Sequence, residues 1–290
     1  MTEAELRSRW PWGRFLVATL VVLVMIGPLV WLVSLSFKPP GEWVTGSPTI
    51  IPRDPTSTNY VVLFAPGVPK GSVGEALRAA QPVNRAVMNS LIVVPISTLL
   101  SVALGFLAAY GVSRFRVGGN FFPFSVLATR MFPPIAFAVP LLVYYRMLGL
   151  IDTRLGLILM YTAFTLAFSL WLLKGFIDGV PQHIEEAAIL DGASRWRVLF
   201  TITLPLVRGG LAATALFVFI MNWTEFLFAL IFTARTAVTV PVQLSQYVGT
   251  VGRFYGPQAA LGMVASFPVL VAGYAIQRFL VRAFTFGLVK

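Results

Sequence analysis

Carboxylates are scarce in this chain, 11 among 290 residues, yet Glu185, Glu186 and Asp191 fall within seven positions of one another. Carboxylates that close can hold a divalent ion, exchange protons with a substrate, or dock against basic groups of a partner. The first two roles need companions that are missing. Cysteine is absent, His183 is the one histidine, and no His pair or G-x-S-x-G turn occurs. Zinc hydrolysis, iron–sulfur chemistry and triad catalysis are therefore excluded, and no metal site or catalytic residue is expected. No Walker A pattern occurs either, so the chain cannot itself cradle nucleotide phosphates. Docking remains. A second group of polar residues, Arg130, Asn222 and Glu225, lies inside strongly apolar sequence, where charge is costly and tends to be functional.

The elements that position these groups follow from composition. The chain is 57% hydrophobic and 11% charged, with a mean hydropathy of +0.82, whereas soluble domains carry about 25% charged residues. Its solvent is lipid. About 20 apolar residues cross a bilayer as a helix, and six stretches qualify: Phe15–Phe37, Val87–Gly111, Phe122–Tyr145, Leu155–Ile177, Leu211–Phe232 and Ala259–Phe279. The expected fold is all-α, a polytopic membrane protein of six spans forming one domain over residues 1–290. The first run is too long for a signal-peptide core and is expected to remain as a span. Pro133-Pro134 and Pro140 inside the third run predict a kink.

The formal charge of +11 fits Lys and Arg at helix ends meeting anionic lipid, and nucleic acid is not an expected partner. Basic residues modestly favour a topology with both termini cytoplasmic. Arg114, Arg116, Lys174, Arg195, Arg197 and Arg208 then face inward with Arg7, Arg9, Arg14, Arg278, Arg282 and Lys290. Two outer segments result. Residues 38–86 include short runs read as extended, such as Tyr60 to Phe64, and residues 233–258 read as a polar excursion. Each is a solvated connector or a docking surface for an external partner.

The carboxylate-rich stretch, GVPQHIEEAAILDGASRWRVLFTITLPL over residues 179–206, lies between the fourth and fifth spans on the inner side. It reads as two short helices. Pro181 suits a first helical position, Glu185 and Glu186 complement the helix dipole, and Gly192 fits a left-handed cap. Ser194 is a good N-cap for a second helix carrying Trp196, Leu199 and Phe200 as an apolar stripe and stopping at Pro205. Such a pair can transmit a push to neighbouring spans, or lie on the membrane as an interfacial helix without a partner. In the fifth span, Asn222, Glu225, Phe226 and Ala229 share a helical face. With Arg130 they line a substrate path or simply hold helices together.

Glu186-Ala187-Ala188, Gly192, and Ile202-Thr203-Leu204-Pro205 resemble the EAA loop of ABC-importer permeases, with the spacing E-A-A-x3-G-x9-I-x-L-P met in full. Gly209 stands where many members carry proline. Four further segments are similar to carbohydrate permeases related to the smaller permease subunit of the maltose importer: Ser34 to Pro39, Asn89-Ser90, Arg130 to Pro134, and Asn222 to Phe226. The terminal Phe284 to Lys290 resembles the tail that in that subunit reaches toward the ATPase dimer.

The resemblance implies a permease subunit of an ATP-driven, binding-protein-dependent sugar or polyol importer in the inner membrane of a prokaryote. Its partners would be a paralogous permease, two ATPase subunits that hold ATP and Mg, a solute-binding protein outside, and membrane lipid. The first short helix becomes a cytoplasmic coupling helix, with Glu185, Glu186, Ala187, Ala188, Asp191, Gly192, Ile202, Leu204 and Pro205 as the coupling residues. The chain itself would bind no cofactor. An ion-gradient-driven secondary transporter is the alternative, although no internal repeat is evident.

Overall fold

In a computed structural model the described residues are 11–44, 49–64, 83–119, 121–249 and 252–285. The side chains of Arg7, Arg9, Arg14, Lys70, Arg78, Arg253, Arg278, Arg282 and the tail Phe284 to Lys290 lie outside the described residues. Among the described residues the secondary structure is mainly helical. In order, α1 is Pro11–Ser36, α2 Thr58–Phe64, α3 Val83–Phe115, α4 Phe122–Ala128, α5 Pro134–Met147 and α6 Arg154–Asp178. Then come α7 Gln182–Leu190, α8 Arg195–Val198, α9 Arg208–Trp223, α10 Leu227–Phe232, α11 Val240–Gln246 and α12 Tyr255–Thr285. The one sheet among the described residues pairs β1 (Val248–Gly249) with β2 (Gly252–Arg253), Val248 opposite Arg253.

Four helices are long and apolar enough to cross a membrane unbroken, and two bent pairs raise the number to as many as six. The expected count of six spans is reached when each bent pair is taken as one span. The third expected span is cut at Phe132-Pro133, where α4 with its 3-10 extension meets α5 at 92°. Each of these residues precedes a proline, and the ring of the following residue drives it out of the helical region. Phe132 accordingly sits at ψ 137° and Pro133 at ψ 126°. The expected kink is thus a corner.

The fifth expected span, Leu211–Phe232, is also two helices, because α9 ends at Trp223 and α10 begins at Leu227. Thr224 closes α9 by donating its hydroxyl to Ile220 O at 2.8 Å. The Glu225 carboxylate opens α10 by accepting the N–H groups of Phe228 (2.9 Å) and Ala229 (3.2 Å). These are donors that a helix start otherwise leaves bare. A capping carboxylate in apolar sequence is a strong local reason to restart a helix.

The chain divides into two compact units, residues 1–80 with 244–266, and residues 81–243 with 267–290. In the first unit α1 exposes nearly its whole apolar surface, as a helix facing lipid must. Its end is tied down by polar groups. Asn59 on α2 donates to Ser36 O and Lys38 O, both at 2.9 Å, and Tyr60 donates to Ser36 Oγ at 2.9 Å. Buried Lys38 donates to Thr49 O and lies 4.3 Å from the Trp31 ring. Residues Tyr60 to Phe64, expected to be extended, are helical. Thr56 accepts the Thr58 N–H at 3.1 Å, and Asn59 and Leu63 share a buried face.

The second unit is built on α3 and α6. Small polar residues line their seam, with Ser101 and Ser169 hydroxyls 2.8 Å apart. A Cβ on Gly105 would collide with Ser169. Close approach through small residues is how helices associate where no water is expelled. On α9, Asn222 donates to Ser97 and Thr98 of α3, at 3.3 Å each. Two apolar clusters complete this unit, one around Tyr145, Tyr161, Trp223 and Phe232, the other around Phe106, Leu173, Ile177 and Leu199.

Candidate functional site

The segment between α6 and α9 forms the two short helices expected. Pro181 stands one place before the first helical residue, as the N-cap of α7. Gly192 takes φ +88° beyond its end, a conformation that costs a glycine little. The closing bonds run from Ala193 N to Ala188 O (2.9 Å) and from Gly192 N to Ile189 O (3.0 Å), the wrap of a Schellman end. Ser194 caps α8 by accepting from Arg197 N at 3.3 Å.

The helix does not stop at Pro205. A π turn at Leu199–Thr203 precedes it, and helical backbone continues to Leu206. Proline offers no N–H to a carbonyl four residues back, so a widened turn before it absorbs the missing bond. The chain then turns by 76° into α9. The apolar stripe divides: Leu199 is buried, while Trp196 and Phe200 stay exposed with rings stacked 6.1 Å apart.

Among the described residues, Glu185 is the one α7 position that is buried, at 5% exposure. Its carboxylate receives Arg114 Nε at 3.0 Å, the Tyr110 hydroxyl at 3.3 Å and the Thr203 hydroxyl at 2.8 Å. Arg114 Nη2 donates onward to Ile177 O (3.1 Å), in the last turn of α6, and to Val180 O (3.0 Å), just beyond its end. A cation there also suits the helix dipole. Beside it, Asp178 accepts from Ser113 of α3 and from Lys174 at 2.5 Å. Removing one member of a buried ion pair strands the other and costs about 3–5 kcal/mol.

Glu186 has the opposite setting. It is exposed, as are Ala187, Asp191 and Gly192, and Ala188 is half-buried. Further on, Ile202 and Leu204 are half-buried and Pro205 is exposed. The adjacent acids Glu185 and Glu186 therefore face protein and solvent respectively. Arg114 was legible in the sequence only as an inward-facing charge at the end of the second span.

The residues expected along a path are placed as follows. Arg130 sits in the 3-10 turn before the corner, donates to Ala163 O at 3.2 Å and lies 4.0 Å from the Phe164 ring. Phe164 contacts Phe228 at 4.1 Å between ring centroids, and Phe228 N–H is one of the two held by Glu225. Arg130 and Glu225 thus belong to one contiguous group without touching. Asn222 is buried against α3, and Phe226 retains 38% exposure. The helix break removes the continuous face on which Asn222, Glu225, Phe226 and Ala229 were expected to align.

A further cluster escaped the sequence reading. Asp152 follows α5 at φ +56°. Its carboxylate accepts the successive backbone N–H groups of Ala234, Arg235, Thr236 and Ala237 at 2.9–3.0 Å. Burial raises its pKa, but the hydrogen bonds from Ala234, Ala237 and Thr236 outweigh burial and hold it at about 2. Asn89 fixes the same segment, donating to Thr236 O and Val238 O (2.8 Å each) while accepting from Arg154 Nε at 2.8 Å. The start of the expected polar excursion is therefore clamped, with Ala237, Val238, Thr239 and Val240 buried. Among the described residues no cluster of His, Asp and Glu could hold a metal ion.

A family model described as "Binding-protein-dependent transport system inner membrane component" matches residues 101–286. The chain is 34% identical to the trehalose/maltose transport system permease protein of Thermococcus litoralis, over 94% of each chain. It is also 34% identical to the trehalose transport system permease protein of Mycobacterium tuberculosis, over 94% of this chain and 95% of that one. Among solved structures, a bacterial ABC transporter involved in the import of the acidic polysaccharide alginate contains a chain of the same fold. Its TM-score is 0.72 at 18% identity, covering 97% of this chain and 99% of that one.

Proposed function

The chain belongs to the binding-protein-dependent transport system inner membrane component family, and on that premise we propose a permease subunit that admits a sugar or related polyol by alternating access. The substrate class follows the named relatives, which are permeases for trehalose and maltose. The chain is a multi-pass membrane protein and not an enzyme. It acts as one transmembrane domain over residues 1–290 with both termini cytoplasmic. A paralogous permease and two ATPase subunits carrying ATP and Mg complete the importer, with a solute-binding protein on the outer side and lipid around the apolar exterior.

The observation that carries the coupling role is the division of labour on α7. Glu186 is exposed next to buried Glu185, on a helix closed by Gly192 at φ +88°. In this reading Glu186 pairs with a basic group of the ATPase. Ala187, Ala188, Asp191 and Gly192 shape the docking face, and Ile202, Leu204 and Pro205 lead the displacement into α9. Arg130 and Phe226 offer surface to the substrate, while Asn222 and Glu225 frame the path from behind.

The test is co-purification of the tagged chain from its native membrane, alongside a variant with Glu186→Arg and Gly192→Pro. Recovery of an ATPase and a second permease with the unmodified chain, and loss of the ATPase from the variant, is the expected result. A folded unmodified chain that comes alone would overturn the assignment.

A further inference from the structure

We propose that Arg114 and Glu185 are a positioning pair that makes α7 move with the ends of α3 and α6, so that displacement of the coupling helix reaches the membrane helices undiminished. The inference rests on the coupling role proposed for α7.

A helix docked by apolar side chains can roll, because hydrophobic contact has no direction. Among the described residues α7 buries no apolar side chain fully, and its single buried group is the Glu185 carboxylate. Directional bonds therefore set its orientation. Donors converge on that carboxylate from two places, Tyr110 and Arg114 on α3 and Thr203 on the π turn leading to α9. Because Arg114 also grips the carbonyls of Ile177 and Val180, one guanidinium joins three elements. The side chains of Arg114 and Glu185 are each 6% exposed, so an ATPase docking on the outer face of α7 leaves the pair enclosed. Glu186 makes the external contact, and Glu185 fixes the lever to its load.

The experiment uses the assembled importer in liposomes loaded with ATP, with the binding protein and a sugar on which the unmodified complex is active supplied outside. It measures uptake and ATP hydrolysis together for Glu185→Gln, Arg114→Lys, Arg114→Glu and the exchanged pair Arg114→Glu with Glu185→Arg. The expected result is retention of the ATPase in the complex with a fall of about tenfold in uptake per ATP hydrolysed, the usual scale of a lost coupling interaction. The exchanged pair should recover part of that ratio. A spin label at Leu190, which is 89% exposed, should gain mobility in Glu185→Gln.

An unchanged uptake-to-hydrolysis ratio in both Glu185→Gln and Arg114→Lys overturns the proposal. So does loss of the ATPase from Glu185→Gln, which would make Glu185 part of the docking face. Failure of the unmodified chain to assemble with an ATPase is a different outcome, because it removes the coupling role itself.

Discussion

Replacing Asp152 by asparagine keeps the shape of the side chain and removes its charge. Two carboxylate oxygens now receive the N–H groups of Ala234, Arg235, Thr236 and Ala237. Asparagine offers one oxygen and turns an NH2 group toward donors, so at least one backbone N–H loses its partner. The magnitude follows from the pKa, which falls from 3.8 to about 2 on folding. At 1.36 kcal/mol per unit, and with some loss to solvent screening, the clamp contributes about 1–2 kcal/mol. A depressed carboxylate pKa stabilises the fold above the unfolded value near 3.8, and the contribution is lost as pH falls through about 2. Hydrogen exchange of the detergent-solubilised protein reads this directly. At neutral pH the amides of residues 234–237 should exchange about 5–30 times faster in Asp152→Asn. Their protection in the unmodified chain, corrected for intrinsic rates, should decline between pH 4 and pH 2, and the variant should lack that decline. Equal protection of these amides in the two proteins at pH 7 would refute the reasoning.

The α3–α6 seam yields a graded pair. Ser101→Ala removes one interhelical hydrogen bond and should cost about 0.6 kcal/mol in an SDS unfolding titration. Gly105→Ala drives a Cβ into Ser169 and its backbone, and should cost about 1–3 kcal/mol. For the substrate path, Asn222→Ala and Glu225→Gln should each lower uptake by an importer whose assembly has been checked. Normal uptake in both would remove these residues from the path.

Local chemistry was legible where the cause and the effect lie within a few residues. Gly192 and Ser194 end and begin helices because their own backbone and hydroxyl do so, and the sequence pattern locates both. The Pro133-Pro134 corner was visible as a kink, but its 92° depends on two successive residues being held out of the helix. The restart at Leu227 was concealed because Glu225 reads as one more helical residue until its carboxylate is seen to accept forward N–H groups. Distant pairings left no local trace. Glu185 is buried where Glu186 is exposed, and the partners that hold it include Tyr110 and Arg114, 75 and 71 residues earlier. Asp152 meets its donors 82–85 residues later.

The polar seam of α3 also sets a timetable for biosynthesis. The Ser169 partner of Ser101 lies 68 residues downstream, and the Asn222 partner of Ser97 lies 125 residues downstream. At about 5–20 residues per second of translation, α3 waits roughly 3–14 s for Ser169 and 6–25 s for Asn222. Ser97 can wait without penalty, because its hydroxyl already donates to Val93 O on its own helix at 2.7 Å. Asn222 arrives with an amide that has to find its acceptors across a helix boundary. A nascent chain halted between Asp178 and Asn222 would therefore hold α3 and α6 together before α9 has joined them.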